Sequence, residues 1–245
     1  MGSVRKFSWG LQLEKYPYVS YSRSSINGKR HYDCDGTPVP SVTTILDQTD
    51  DKTGLQKWIK RVGEEEAERI RKESSDRGTL MHDFIEKRLM GHQTSSANPQ
   101  ASLAHKMGAT VLDNMIGLHF VYGCEISLNY KNQWAGSTDL VCLYENQLTI
   151  GDFKQANKMK KEEYITNYYC QLVAYSMAHT EMYGEVEQGK IFMVTPELQF
   201  KEFELNKFNY EKYKKIWLDR VELYYKNKES VDSTSNLYDM RVQSR

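Results

Sequence analysis

The sequence predicts an α/β fold in which a mixed β-sheet is flanked by helices, with a further helical segment ahead of it covering one edge. From 119 to 228, runs with the two-residue alternation of strands mix with runs of helical periodicity, in the order three strands, helix, two strands, helix. From 53 to 118 the apolar spacing is helical and offers no strand. A short polar break near 145 joins two alternating runs into a tight hairpin. With 245 residues the chain can bury a sizeable core, and we read it as a single domain over 1–245. Its parts are an N-terminal hairpin and loop region (1–52), a helical arch (53–118), an α/β core (119–228) and a polar tail (229–245) that frays.

Taken in order, 16–21 and 29–34 read as two short strands joined near Asn27-Gly28, and 35–38 as a turn. Ser41 with Thr44 opens a helix, and Thr43 lies between them. The Ser41 and Thr43 hydroxyls either cap it or, with the free N–H groups there, hold a phosphate. The helix over 53–73 carries an apolar stripe of Leu55, Trp58, Ile59 and Val62 among mixed charges of a solvated face. Trp58 is either core or a platform for a stacked base. Ser75 to Thr79 starts the next helix, over 77–90. There His82 and Glu86 share a face, and Gly78 leaves bare backbone one turn before His82. The polar loop 91–100 suits a lid or a disordered tip. The helix 101–118 presents Leu103, Met107, Val111, Leu112, Met115 and Ile116 as a core stripe. The strand 120–130 puts Cys124, Ile126 and Leu128 on one face and Glu125 on the other. Later, 155–163 is basic through Lys158, Lys160 and Lys161, a loop fit to touch phosphates together with Arg77. Strands at 190–196 and 199–205 and an amphipathic helix at 207–228 complete the core.

The sharpest signal is GSTDLVCLYENQLTIGDFKQA, 136–156. Asp139, Val141 and Leu143 share one strand face, and Leu148, Ile150, Asp152 and Lys154 share the next. A two-residue turn at Glu145-Asn146 pairs Tyr144 with Gln147, and counting outward it pairs Asp139 with Asp152. Directly opposed carboxylates, roughly 4.5–5.5 Å apart at Cβ, repel unless a cation lies between them. The apolar face that carries them argues against a solvated cluster, so the pattern points to a divalent-metal site. Lys154, on the same face, is placed to position a metal-bound water, to assist its deprotonation, or to neutralise charge on a phosphate. The Phe153 side chain packs on the other face, and its carbonyl is a possible ligand for a hard cation.

Acids and bases balance at 33 each, so any attraction for nucleic acid comes from local patches. Four cysteines without CxxC spacing exclude a zinc module and fit a reducing compartment. No apolar run approaches a membrane span, and the first ten residues hold no signal-peptide core. The expectation is an intracellular protein, in the cytoplasm of a bacterium or phage-infected host or in an organelle, with no membrane partner.

Asp139 followed by Asp152-Phe153-Lys154 resembles the PD-(D/E)XK nuclease superfamily, and Gln171 to Tyr175 resembles the QxxxY element of its RecB-like exonuclease branch. The segment PSVT-x-IL from Pro40 resembles one found in mitochondrial and phage members, which strengthens the phosphate reading of Ser41 and Thr43. RGTLMHDFIE resembles the branch's motif that places a histidine on the metal, here His82. The resemblance spans about residues 40–205. It implies a restriction-endonuclease-like fold, with His82, Asp139, Asp152 and the Phe153 carbonyl holding Mg²⁺ or Mn²⁺. Imidazole beside carboxylates favours manganese. In this family a glutamate in the first core strand sometimes lies near the site, so Glu125 either joins it or faces solvent. Lys154 would orient the attacking water, and Gln171 and Tyr175 would position the strand or the lysine. Some relatives hold an iron–sulfur cluster on bunched cysteines; this chain has no cysteine after Cys170, so none is expected.

The reading is a metal-dependent DNA exonuclease selective for single strands and needing a free end. Rivals are an endonuclease on the same fold and a non-catalytic nucleic-acid-binding module. No helicase motif is present, so any unwinding falls to a helicase or other replication or recombination partner.

Overall fold

The computed structural model describes residues 9–94 and 99–242, side chains of 99–100 and 231–242 excepted. The first eight residues, the tip of the polar loop expected at 91–100 and the last three residues of the tail lie outside the described residues. The elements run β1 (Gly10–Leu11), β2 (Ser22–Ile26), β3 (Lys29–Cys34), β4 (Thr37–Pro40), α1 (Val42–Thr49), α2 (Thr53–Val62), α3 (Glu64–Leu89) and α4 (Pro99–Asn114). After these come β5 (Leu118–Tyr130), β6 (Trp134–Tyr144), β7 (Gln147–Gln155), α5 (Thr166–Met182), β8 (Gln188–Val194), β9 (Phe200–Leu205) and α6 (Tyr210–Val242).

The main sheet has the order β1-β5-β6-β7-β8-β9. β1 lies parallel to β5 and β7 parallel to β8, while the other neighbours are antiparallel. This is the expected architecture, a mixed sheet between helices, consistent with a restriction-endonuclease-like fold. On one face Val141, Ile150, Ile191 and Met193 pack with Leu172, Val173 and Trp217 of α5 and α6. On the other, Leu140, Cys142, Phe153 and Phe192 pack with Met81, Ile85, Met107 and Val111 of α3 and α4. Covering on both faces explains why β8, QGKIFMV, is buried at every position.

The central hairpin has the expected register, Tyr144 against Gln147. Its turn residues, Glu145 and Asn146, have φ of 52° and 64°, the left-handed pair whose twist suits a two-residue hairpin. A second, three-stranded sheet, β2-β3-β4, is turned by Asn27-Gly28 and Asp35-Gly36, all with positive φ.

Several boundaries differ from expectation. The first strand of the small sheet is 22–26, not 16–21. Tyr16 and Tyr18 before it pack against the end of α5 instead, with the Tyr18 hydroxyl 3.1 Å from His179 Nε2. The helical break falls at Gly63 (φ 90°) rather than at 75–78, so α3 runs unbroken from Glu64 to Leu89. Ile116 lies past α4 and is 77% exposed, outside the stripe assigned to it. The backbone of the tail expected to fray continues α6 to Val242. The segment 53–118 holds three helices, α2, α3 and α4. α3 and α4 pack against each other on the sheet, and α2 lies against α3 with no buried residue. No helix among the described residues is long and apolar enough to cross a membrane.

Candidate metal centre

The site begins where the β6–β7 ladder stops, at Leu140–Gly151. One step further out, side chains replace backbone pairing. Asp139 Oδ2 accepts the Phe153 N–H at 2.7 Å, and Thr138 Oγ1 donates to the Gly151 carbonyl at 3.4 Å. On the other side of β6, Cys124 pairs with Leu140 and Ile126 with Thr138, so Glu125 falls opposite Asp139. Glu125 has φ 51°, uncommon for a residue with a Cβ. The register thus sets Glu125, Asp139 and Asp152 at neighbouring positions on three adjacent strands.

His82 closes the group from α3, its Nδ1 3.5 Å from Asp139 Oδ2. His82, Glu125 and Asp139 each offer one ligand atom, and these atoms lie within 4.8 Å of one another. Glu125 Oε2 also accepts from Ser137 Oγ at 2.8 Å and from the Arg23 guanidinium at 3.3 Å. Burial first, with Asp152 adding, pushes the Asp139 carboxyl up to about 6 against the pull of His82. Burial and the nearby Glu125 and Asp83 likewise raise Glu86. One imidazole and carboxylates in a region of surplus negative charge fit a hard or borderline divalent cation, Mg²⁺ or Mn²⁺, rather than a thiolate metal.

The group of side chains that could hold a cation therefore differs from the one expected. Glu125, left open in the sequence, is in the cluster, whereas Asp152 is not. Asp152 is 1% exposed and held by Lys154, whose Nζ is 2.7 Å from Oδ2 and 2.9 Å from Oδ1. Only the Oδ1 contact also has hydrogen-bond geometry; at 2.7 Å the Oδ2 contact is nonetheless an ion pair. The physical reason is adjacency: Lys154 leaves the same strand face two residues on and is the nearest cation. Phe153 contributes a buried ring and its N–H to Asp139; nothing places its carbonyl on a cation.

Lys154 Nζ also donates to Gln171 Oε1 at 3.1 Å, and Gln171 Nε2 reaches the Tyr175 hydroxyl at 3.4 Å. Burial opposes the charge on Lys154, but Asp152 and Asp139 outweigh it and hold the ammonium above the usual lysine value. Lys154 is thus held as a positive donor between Asp152 and Gln171. Burial keeps Tyr175 a neutral phenol. Of the two roles open to Gln171, the geometry shows it against the lysine. Tyr175 can lie there because position 136 is glycine: a Cβ on Gly136 would meet the Tyr175 ring at 2.6 Å. Gly136→Ala should therefore cost about 1–3 kcal/mol through overpacking. A denaturation midpoint equal to that of the wild type would contradict this packing.

A cleft of about 740 Å³ opens onto the centre, lined by residues that include Arg23, Gly78, His82, Glu125, Lys154 and Gln155. The nucleic-acid contacts expected from sequence are not among its lining residues. Ser41 is buried as the N-cap of α1, accepting from Thr44 N at 3.0 Å and donating to Thr44 Oγ1 at 2.9 Å, so capping is the reading the structure shows. Thr43 is exposed beside it. Arg77 is buried, and its guanidinium is satisfied internally by Gln155, Asn157 and Glu73. That ties α3 to the end of β7, as a buried arginine requires. Trp58 is half-buried on α2. Lys158 and Lys161 are exposed, and Lys160 donates to the Tyr168 hydroxyl at 2.7 Å. The same Tyr168 ring lies 5.1 Å from Lys154 Nζ.

No protein-family model matches the chain, and no curated protein matches it. Twelve chains of solved structures do. Among them is a crystal structure of a "Putative exonuclease" from Eubacterium rectale, with 11% identity over 62% of this chain and 68% of that one. Its TM-score of 0.43 makes this a distant likeness of architecture.

Proposed function

We propose that the chain is a metal-dependent nuclease of the PD-(D/E)XK type, acting as an exonuclease on single-stranded DNA in the manner of the RecB-like branch. One observation carries the reading: Glu125, Asp139 and Asp152 stand at neighbouring register positions on β5, β6 and β7, with His82 and Lys154 converging on them. Three acids crowded at the end of a buried sheet cost stability, and phosphodiester hydrolysis is a task that needs them.

His82, Glu125 and Asp139 would hold Mg²⁺ or Mn²⁺, with Asp152 beside them. Bound there, the ion supplies a hydroxide-like water near neutral pH and offsets charge on the phosphate. Lys154 keeps its proton and donates to the attacking oxygen or to a phosphate oxygen. Gln171 fixes the direction of that ammonium, and Tyr175, wedged against Gly136, fixes Gln171. Lys158, Lys160 and Lys161 on the loop after β7 would steer the strand. The cleft is lined by α3 on one side and by β5, β7 and Arg23 of the small sheet on the other, so a single strand would pass along α3 rather than beneath α2.

With Mg²⁺ or Mn²⁺, a linear single strand should be degraded while a closed circle of the same sequence survives. Equal loss of both would make the enzyme an endonuclease with a side-open site. No metal-dependent cleavage of either would remove the nuclease reading and leave a binding module.

A further inference from the structure

Arg23 was not singled out by its sequence, yet it is a cation in the cleft that no catalytic side chain fully claims. It sits on β2, whose five residues are all exposed and which forms the edge of the small sheet. Its register partner is the buried Tyr32, over whose ring the guanidinium lies at 5.8 Å from the centroid. From there it reaches Glu125 Oε2 at 3.3 Å, the oxygen that Ser137 also holds. The Arg23 side chain is 52% exposed and Glu125 39%. The other cleft-lining cation near the acids, Lys154, is tied between Asp152 and Gln171.

We propose that Arg23 is a positioning residue that exchanges partners. It neutralises Glu125 when the cluster holds no divalent ion and turns to a backbone phosphate of the bound strand when one is held. This rests on the metal-centre reading above. The physics is a competition for one carboxylate. A guanidinium and a divalent cation beside Glu125 repel each other, so loading the ion weakens the Arg23 contact. Half-exposed on an edge strand, Arg23 changes rotamer without moving packed backbone. Its planar fork suits phosphate oxygens as well as carboxylate. Loading of the ion and capture of the strand are thereby coupled through a residue that belongs to neither the main sheet nor α3.

Two effects of opposite sign follow for Arg23→Gln. Mn²⁺ affinity, read by calorimetry on the protein alone, should tighten roughly two- to fivefold, the scale of a half-exposed ion pair. Affinity for a fluorescein-labelled oligothymidylate, read by anisotropy with Ca²⁺ in place of Mg²⁺, should fall roughly tenfold or more, as loss of a charge-assisted contact does. The slope of log affinity against log salt should shrink by about 0.7, one single-strand phosphate contact. Arg23→Lys should recover part of the strand affinity, and thermal melting of the metal-free Arg23→Gln protein should fall by no more than the loss of that one exposed pair. A purely structural Arg23 would lower melting further and weaken both ligands together. Unchanged or weaker Mn²⁺ binding in Arg23→Gln overturns the exchange while leaving the metal centre standing. Failure of the wild type to bind Mn²⁺, or equal binding by Asp139→Asn, overturns the metal centre and the exchange with it.

Discussion

Asp139→Asn should abolish hydrolysis without unfolding the protein. On the proposed reading its carboxylate, between Glu125 and Asp152, is a metal ligand, so the loss should exceed the roughly 10–100-fold that removing a ligand's supporting partner costs. The fold should tolerate the change, because an amide oxygen can still accept the Phe153 N–H. Metal-free stability should even rise near neutrality. Burial raises the Asp139 carboxyl from 3.8 to about 6, so the folded state binds the proton more tightly than the unfolded chain. The ionised group then costs stability that is absent below about 4 and grows as pH rises to about 6. Asparagine carries no such cost. Melting curves of the two metal-free proteins should coincide near pH 4 and separate in favour of the variant by pH 7, by the same linkage. A variant that melts lower at both pH values would mean that Asp139 is a structural acid. A variant that still cuts DNA with Mg²⁺ would end its role as a ligand.

Strands and helices were legible because burial leaves a periodic trace. The alternation of 139–154, the polar Glu145-Asn146 break and the apolar run of β8 each reflect a sheet covered on both faces. Legibility failed where the deciding term is local or tertiary. Ser75 to Thr79 carries cap-like residues, yet α3 continues through them because Arg77 is fastened to Gln155 and Asn157. Gly63, one glycine among 15, gives the real break through a positive φ that no pattern announces. Tyr16 and Tyr18 alternate like a strand but spend their faces on His179 and Tyr183. Within the site, Asp139, Asp152, Lys154, Gln171 and Tyr175 were visible because their spacing follows strand and helix periods. Glu125 was visible only as a question, since its approach depends on a left-handed backbone angle. Arg23 carried no signal: an arginine in an exposed edge strand reads as surface, and only the folding of the small sheet against β6 brings it to Glu125.

Lys154→Ala should remove turnover and also destabilise the protein, and the second effect must be separated from the first. Lys154 is the partner that both Asp152 oxygens meet within 2.9 Å, and Asp152 is 1% exposed. Truncating the lysine strands a buried carboxylate, at a cost of about 3–5 kcal/mol. For a chain of this size that is a fall in melting temperature on the order of 10 °C. The paired variant Asp152→Asn with Lys154→Met removes both charges and keeps volume, so it should regain most of that loss, since replacing both members of a buried pair is often near neutral. Its melting temperature should therefore lie well above that of Lys154→Ala, while its cleavage rate stays at background. Oligonucleotide binding should persist in the paired variant, because Lys154 is committed to Asp152 and Gln171 and serves the attacking oxygen more than affinity. Wild-type cleavage by Lys154→Ala would take the lysine out of the chemistry. If the paired variant melts no higher than Lys154→Ala, the two side chains do not depend on each other, and the ion pair is not what holds Asp152 in the core.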